Sequence, residues 1–200
     1  MRIYTLRHQE RFNDATMFAP LTLKGLENSK KLVPILNRLG INYIYSSPYM
    51  RTLQTIYPYS KTTDTKVNLE YGLIETLRHP NIPKSSYNSL FPQYLSSQFN
   101  FNKNYSSVVK NEDLKFNETD KNLEKRIKNV LHSIIKTHGS KNDRILIVSH
   151  MTPINTIIKI GGKSNHTIMP KDYPLSYEYP IGAVTEIFSN NQWTFNKVNW

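Results

Sequence analysis

Short apolar runs and longer amphipathic stretches alternate along the chain, and they predict alternating strands and helices. The predicted strands lie at residues 3–6, 43–46, 66–69 and 144–148. The last run is continuous and apolar, which is typical of a strand buried in a parallel sheet. The predicted helices lie at residues 22–39, 49–59 and 119–139, and after residue 151. Strands that alternate with helices form a parallel sheet covered on both faces, so the pattern predicts an α/β fold of three layers, α/β/α.

The C-terminal part of the chain departs from this alternation. Thr152 is a candidate N-cap for the last helix, with Pro153 at its first position. Beyond this helix, alternating stretches at residues 183–188 and 193–198 flank Asn190-Asn191, a pair that favours a tight hairpin turn. We therefore expect an antiparallel edge on an otherwise mostly parallel sheet.

Between residues 78 and 118 the periodicity gives way to Pro, Ser, Asn and aromatic residues. A segment of this length without clear periodicity is more typical of an active-site lid than of a passive connection. We expect some of its large aromatic residues to be buried, and these are Tyr87, Phe91, Tyr94, Phe99, Phe101 and Tyr105. The chain has no internal repeat, so residues 1–200 are interpreted as a single domain with a lid-like insertion at about 78–118.

Composition excludes several classes of protein and of site. The chain has no cysteine, which excludes disulfides, thiolate metal ligands and a cysteine nucleophile. No apolar run approaches the ~18 residues needed to cross a bilayer. The residues after Met1 lack the pattern of a signal peptide. We therefore expect no membrane partner and a cytoplasmic location.

The formal net charge of +11, from 26 Lys and Arg against 15 Asp and Glu, favours anionic partners in general. The basic residues are scattered, with a modest concentration from Lys121 to Arg144. The chain shows no zinc-finger spacing, RNP motif or arginine-rich tail. A nucleic acid partner is therefore disfavoured, although the charge leaves it open, and a solvated basic face is the simpler interpretation.

Residues whose side chains can bind an anion or take part in catalysis follow each of the four predicted strands. Arg7-His8 follow the first strand, and Ser149-His150 follow the buried one. The second strand leads through a Ser-Ser-Pro turn to Arg51, and the third leads to Glu75. Ligands of α/β sheets bind beyond the carboxyl ends of the strands, so we expect these side chains at one rim. Together they would bind an anion and supply a nucleophile and an acid.

Four motifs in the chain resemble those of the histidine phosphatase superfamily, whose fold is phosphoglycerate mutase-like. They are Arg7-His8-Gln9-Glu10, Leu21-Thr22-Leu23-Lys24-Gly25, Ser46-Ser47-Pro48-Tyr49-Met50-Arg51-Thr52-Leu53-Gln54-Thr55 and Val148-Ser149-His150. They occur in the order of the family, and the third is the most specific. The first motif continues to Arg11 and Asp14, which looks more like the ubiquitin-associated/SH3-domain tyrosine phosphatases and the phosphatase-like subunit of the fungal polymerase III transcription factor.

The resemblance implies a metal-independent phosphomonoester hydrolase that needs no cofactor. His8 would attack phosphorus and form a phosphohistidine intermediate, which water then hydrolyses. Glu75 would be the acid that protonates the leaving oxygen, with Glu70 and Glu10 as alternatives. The groups around the phosphate oxygens would be Arg7, Arg11, Arg51 and His150.

Two positions depart from the family pattern. Gln9 stands where the family has glycine, which can serve a special backbone angle or a close approach to the ligand. Met151 stands where the family has a small or acidic residue. These departures leave open a catalytically weak or inactive phosphatase-fold protein that binds or scaffolds. A phosphoglycerate-type mutase is a further alternative, which the Arg11-containing motif disfavours.

Other residues match no catalytic motif. Four histidines are interpreted as structural or exposed, and these are His79, His132, His138 and His166. Gly161-Gly162-Lys163 is interpreted as a helix stop. The expected partner is a phosphorylated small molecule or a phosphopeptide. The sequence does not determine the oligomeric state, and a homodimer is one option.

Overall fold

The computed structural model describes residues 1–13, 16–77, 97–114, 117–165 and 179–198, with backbone only at 163–165. Its strands are β1 (Arg2–Arg7), β2 (Tyr43–Ser46), β3 (Val67–Leu69), β4 (Arg144–Ser149), β5 (Val184–Ser189) and β6 (Gln192–Lys197). They form one sheet in the order β3-β2-β4-β1-β5-β6. The first four strands are mutually parallel, whereas β5 is antiparallel to β1 and β6. The predicted mostly parallel sheet with an antiparallel edge is confirmed.

Helices cover both faces of this sheet. Within the described residues they are α1 (Leu23–Leu39), α2 (Met50–Thr63), α3 (Asp120–Thr137) and α4 (Met151–Asn165). Successive side chains of a strand point to opposite faces, and β1 shows the division. Ile3 packs in the apolar cluster of α3 and α4, whereas Tyr4 and Leu6 pack in the cluster of α1 and α2. This arrangement confirms the three-layer α/β/α sandwich. No helix in the described ranges is both long and apolar enough to cross a membrane.

Helix α4 begins two residues earlier than a Thr152 cap with Pro153 as the first helical residue requires, so the predicted cap is wrong. Met151 is its first residue, and the backbone carbonyl of His150 accepts a hydrogen bond from the Ile154 N–H at 3.1 Å. Pro153 is tolerated because N–H groups in a first turn have no intrahelical partner. His150 therefore lies between the end of β4 and the start of α4.

The predicted helix stop at Gly161-Gly162-Lys163 is also wrong, because α4 continues to Asn165. A Cβ added at Gly161 would lie 2.3 Å from the indole ring of Trp193. Glycine is therefore needed here for close packing of β6 against α4, and it does not end the helix.

The hairpin turn between β5 and β6 agrees with its prediction. Asn190 and Asn191 adopt φ angles of 52° and 62°. Two consecutive left-handed residues are typical of the two-residue turn whose twist matches antiparallel strands. Asparagine tolerates this conformation better than most residues do, which is why the pair was informative in the sequence.

Only part of the predicted lid can be described. Residues 78–96 and 115–116 lie outside the described residues, and so do Asp14, His79, Tyr87, Phe91, Tyr94 and His166. Phe99 and Phe101 are partly buried against the α1–α2 cluster, and Tyr105 packs against the α3–α4 cluster. His132 is exposed on α3, whereas His138 is buried and its Nε2 lies 2.8 Å from the Tyr45 hydroxyl.

Candidate active site

Two histidines face each other at the carboxyl edge of the sheet. β1 and β4 are parallel neighbours with Arg7 opposite Ser149 in the register, so the next residue of each strand reaches the same rim. His8 donates its backbone N–H to the carbonyl of Ser149 at 3.1 Å. The ring centroids of His8 and His150 are 5.3 Å apart. The sheet thus brings together two residues that are far apart in the sequence.

The His8 ring is neutral, and its hydrogen bond indicates which nitrogen carries the proton. Nδ1 lies 2.8 Å from the carbonyl oxygen of Gln9, which can only accept, so Nδ1 carries the hydrogen. Burial, followed by the positive charge of Arg51, lowers the pKa of His8 from 6.5 to about 3. Nε2 of His8 therefore keeps a lone pair at neutral pH, as a nucleophile requires.

His150 is completely buried and is held by Arg51 and Ser47. Nε of Arg51 donates to Nδ1 of His150 at 3.2 Å, and Nε2 of His150 lies 2.9 Å from Oγ of Ser47. An arginine nitrogen can only donate, so Nδ1 is the acceptor and Nε2 carries the hydrogen. Burial and the Arg51 charge hold the pKa of His150 well below its ordinary value.

Arg51 is placed in the first turn of α2 by the Ser-Ser-Pro segment. Its side chain is buried, and Nη1 donates to the carbonyl of Thr16 at 3.1 Å. Its guanidinium carbon lies 4.5 Å from the centroid of the Tyr49 ring, and the same ring packs edge-on against His150 at 4.9 Å. Tyr49 therefore supports both groups, and Arg51 keeps its charge because arginine is not deprotonated in proteins.

Arg7 is the last residue of β1, and its Nη1 donates to the carbonyl of Tyr179. Its Nε is buried without a partner among the described residues. Burial lowers the pKa of Arg7, while the Glu75 carboxylate acts in the opposite direction. The charge of Arg11 lowers the pKa of both Arg7 and His8, and its Nη1 donates to the Phe12 carbonyl at 2.7 Å. Arg11 is therefore close enough to interact electrostatically with Arg7 and His8, and Glu75 is close enough to interact with Arg7.

Glu75 lies in the segment between the short 3₁₀ turn Tyr71–Leu73 and Leu77. It is partly exposed, and its Oε1 accepts a hydrogen bond from the Thr76 N–H at 2.8 Å. Its carboxylate interacts electrostatically with Arg7, the last residue of β1.

The two alternative carboxylates are engaged elsewhere. Glu70 is completely buried and accepts five hydrogen bonds, which come from Gly72 N, Tyr105 Oη, Ser107 Oγ, Val108 N and Val109 N. A carboxylate with this many donors stabilises the surrounding loop and has no free lone pair for a substrate. Glu10 accepts from the Thr22 hydroxyl at 2.9 Å and lies 3.5 Å from Lys24 Nζ, at the start of α1.

The side chain of Gln9, which stands where the family has glycine, fits because its neighbour Gly182 has no side chain. The backbone of Gln9 is not left-handed, since the described non-glycine residues with positive φ are Asp64, Asn117, Asn190 and Asn191. The Gln9 side chain is buried against Gly182, where an added Cβ would lie 2.3 Å from Nε2 of Gln9. Met151 packs against the α3–α4 cluster.

Several residues of the site were missed in the sequence. Ser47 and Tyr49 lie inside the motif that contains Arg51, and this proximity in the sequence could have marked them as site residues. Tyr179 and Gly182 gave no signal, because they reach the site only through the antiparallel edge of the sheet. In the described part of the chain, no group of three or more His, Asp or Glu residues is arranged to hold a metal ion.

Comparison with known proteins places this geometry in a family. The sequence profile of the histidine phosphatase superfamily (branch 1) matches residues 4–175. Three solved structures share the fold. Ecdysone phosphate phosphatase from Bombyx mori, in complex with tungstate, is 14% identical, with a TM-score of 0.73 over 99% of this chain and 92% of that one. Phosphoglycerate mutase from Bacillus anthracis is 18% identical, with a TM-score of 0.65 over 99% and 92%.

The third is a mutant phosphoserine phosphatase from Entamoeba histolytica in complex with phosphoserine, which is 20% identical, with a TM-score of 0.58 over 97% and 94%. No curated protein matches this chain in sequence. The comparisons do not support the narrower branch predicted from the Arg11-containing motif. The profile match spans most of the chain, and the structural matches agree with it in fold. The chain belongs to the histidine phosphatase superfamily, branch 1.

Proposed function

We propose that this protein is a phosphomonoester hydrolase that works through a phosphohistidine on His8. The observation that carries the proposal is the state of the His8 ring: Nδ1–H is bonded to the Gln9 carbonyl, and the low pKa keeps Nε2 unprotonated. This nucleophile lies among the positive charges of Arg7, Arg11 and Arg51. Such a combination suits attack on a dianionic phosphate, whose charge would otherwise repel a nucleophile.

The proposed reaction consists of two phosphoryl transfers, first from the ester to His8 and then from His8 to water. In the first, Nε2 of His8 forms a bond to phosphorus while the bond from phosphorus to the ester oxygen breaks. Glu75 gives its proton to the departing oxygen, which leaves as an alcohol or phenol. In the second, water attacks the phosphohistidine and gives its proton to the Glu75 carboxylate. Inorganic phosphate leaves, and His8 and Glu75 return to their starting states.

Arg7, Arg51 and His150 would bind the phosphate oxygens in both transfers, with the His150 Nε2–H exchanging its contact with Ser47 Oγ for a phosphate oxygen. Arg51 and His150 are already fixed by mutual hydrogen bonding, so their orientation costs little when substrate binds. The Nε of Arg7, which has no hydrogen-bond partner in the part of the chain that the structure describes, is a donor that a phosphate oxygen can satisfy. Arg11, which is less buried, would add a contact to the phosphate or to the group attached to it.

The proposed substrate is a phosphate monoester on a small molecule or a peptide. The structural neighbours include proteins named for ecdysone phosphate and phosphoserine, so the shared fold accommodates different leaving groups. The proposed mechanism needs no metal ion and no cofactor.

The proposal predicts that His8→Ala lowers the rate of para-nitrophenyl phosphate hydrolysis on the order of 10³-fold or more, because the nucleophile is lost. The measurement is phosphate release by purified wild type, His8→Ala and the control His132→Ala, which changes an exposed histidine of α3. The control should keep the wild-type rate. Equal rates in wild type and His8→Ala would contradict the proposal.

Two further measurements separate the alternatives. Transfer of the phosphoryl group to another hydroxyl, without release of phosphate, would indicate a mutase. A scaffold role would be indicated by thermal stabilisation of the wild type with tungstate but no turnover of phosphotyrosine, phosphosugars or nucleotides.

A further inference from the structure

A buried arginine lies beneath the segment that carries Glu75. Arg126, in α3, and Glu118, just before α3, are both more than nine-tenths buried. Nε and Nη2 of Arg126 donate to the two carboxylate oxygens of Glu118 at 2.6 and 2.8 Å. This parallel, two-bond geometry is the strongest form of an arginine–carboxylate pair.

The remaining donors of Arg126 all reach backbone carbonyls of the Glu75 segment. Nη1 donates to Gly72 O at 2.6 Å and to Ile74 O at 3.1 Å, and Nη2 donates to Glu75 O at 3.3 Å. Arginine has five N–H donors, and here each has an acceptor. The ion pair with Glu118 needs only two of these donors. The other three fix the backbone on both sides of the Glu75 side chain.

Glu118 holds the far end of the same segment. Its Oε2 accepts from the Leu77 N–H at 3.4 Å, and its own N–H donates to the Leu77 carbonyl. Residues 72–77 are therefore tied at their start, middle and end to one ion pair, which we name the Arg126 clamp. Within the described residues, the Glu75 carboxylate itself accepts a hydrogen bond only from its neighbour Thr76. Its position therefore depends on the backbone that the clamp fixes.

We propose that Arg126 is a positioning residue, which aims Glu75 at the leaving oxygen by fixing the backbone of residues 72–77. This inference rests on the proposed function of Glu75 as the acid. Arg126 does not touch the substrate, and its effect passes through Glu75. A displacement of the carboxylate by about 1 Å is enough to cost on the order of 10²-fold in a positioned catalytic step.

The test uses the dependence of rate on the leaving group. A phenol such as para-nitrophenol leaves readily without a proton, whereas an alkyl alkoxide needs one. The parameter is kcat/KM, because it reports the steps up to the first departure of the leaving group. Loss of the acid should therefore lower kcat/KM for an alkyl phosphate much more than for para-nitrophenyl phosphate.

Two variants remove the clamp without leaving a buried charge unpaired. Arg126→Lys keeps the positive charge beside Glu118 but cannot supply the fork of five donors. The double variant Arg126→Met/Glu118→Leu replaces both charges with apolar groups, which proteins often tolerate. The control is Ile134→Ala, which removes a buried side chain two turns further along α3 and lies outside the clamp.

We expect both clamp variants to lose about 10-fold or more in kcat/KM for an alkyl phosphate and less than about 3-fold for para-nitrophenyl phosphate. Ile134→Ala should lower the midpoint of urea unfolding and leave the ratio of the two rates unchanged. Adding either clamp change to Glu75→Gln should cause no further selective loss, because the two residues would act as one unit.

The outcomes separate this inference from the proposed function. If Glu75→Gln shows the selective loss and the clamp variants do not, the clamp has no positioning role. The same conclusion follows if folded clamp variants lose the two rates equally, as a merely structural change would cause. If Glu75→Gln itself shows no selective loss, Glu75 is not the acid, and that part of the proposed function fails first.

Discussion

At the scale of single residues, Gln9 departs from the family pattern next to the proposed nucleophile. A glutamine next to His8, where the family has glycine, leaves open a catalytically weak or inactive protein. However, the backbone of Gln9 stays in an ordinary conformation, and its N–H donates to the Thr55 hydroxyl at 2.9 Å. The extra volume fits because Gly182, on the antiparallel side of the sheet, has no side chain. The exchange is therefore compatible with a functional His8.

This pairing predicts the cost of Gly182→Ala. Gly182 has a φ of 72° and contacts Gln9, whereas Gly40 has a φ of 66° and no atom within 4 Å of an added Cβ. Gly40→Ala therefore measures backbone strain alone, about 1–2 kcal/mol. Gly182→Ala should cost more than Gly40→Ala by urea denaturation, and Gln9→Gly should remove the excess. Equal costs for the two alanine variants would show that Gln9 and Gly182 are not coupled.

At the scale of elements, the loop after β1 meets the start of α1 with no space between them. The Glu10 carbonyl accepts the Thr22 N–H at 3.0 Å, and a Cβ on Gly25 would lie 2.1 Å from the same carbonyl oxygen. Thr22 also caps α1 by accepting the Gly25 N–H at 3.1 Å. The Leu-Thr-x-x-Gly motif thus fixes the position of the loop that leads away from His8.

Gly25→Ala should destabilise the protein even though alanine favours helices by about 1 kcal/mol over glycine. The clash is with backbone atoms that cannot rotate away, and we expect a net loss of about 1–3 kcal/mol. The control is Gly139→Ala, just beyond the end of α3, where an added Cβ meets no atom within 4 Å. Urea denaturation measures both variants, and a neutral Gly25→Ala would contradict the close contact.

For the whole molecule, the buried site histidines make stability depend on pH. The pKa of His8 is about 3 in the folded protein, and 6.5 is its ordinary value, which we take for the unfolded chain. Between these values the unfolded chain binds a proton that the folded protein does not. The free energy of unfolding should therefore fall as the pH falls from about 6.5 to about 3. His150 acts in the same direction.

The His8 contribution can be isolated with His8→Gln. Between pH 6.5 and pH 3 the wild type should lose up to about 1.4 kcal/mol per pH unit more than the variant, which is the slope for one proton. Urea unfolding at several pH values gives this difference, and His132→Gln, on the exposed face of α3, is the control. Parallel curves for wild type and His8→Gln would mean that His8 is not buried as a neutral ring.

The order and type of most elements, and the residues at the strand ends, could be predicted from the amino-acid sequence alone. These properties depend on near neighbours: apolar spacing along one strand or helix, capping residues, and left-handed asparagines in a turn. The placement of His8, His150 and Arg51 at one rim also followed, because parallel strands end at the same edge. The start of α4 did not follow, since the His150 carbonyl accepts its first hydrogen bond.

How the charged groups are held could not be predicted from the sequence, because it depends on tertiary contacts. The sequence favours Glu75 as the acid but leaves Glu70 as an alternative. Folding surrounds Glu70 with five donors, whereas Glu75 is partly exposed and interacts electrostatically with Arg7. The tautomer of His150, the space for Gln9 and the Arg126 clamp all depend on contacts between distant parts of the chain. The sheet order β3-β2-β4-β1-β5-β6 creates several of these contacts by placing β1 between β4 and β5. Periodicity records the environment of a residue along its own element, and it contains no information about which distant backbone atom will face it.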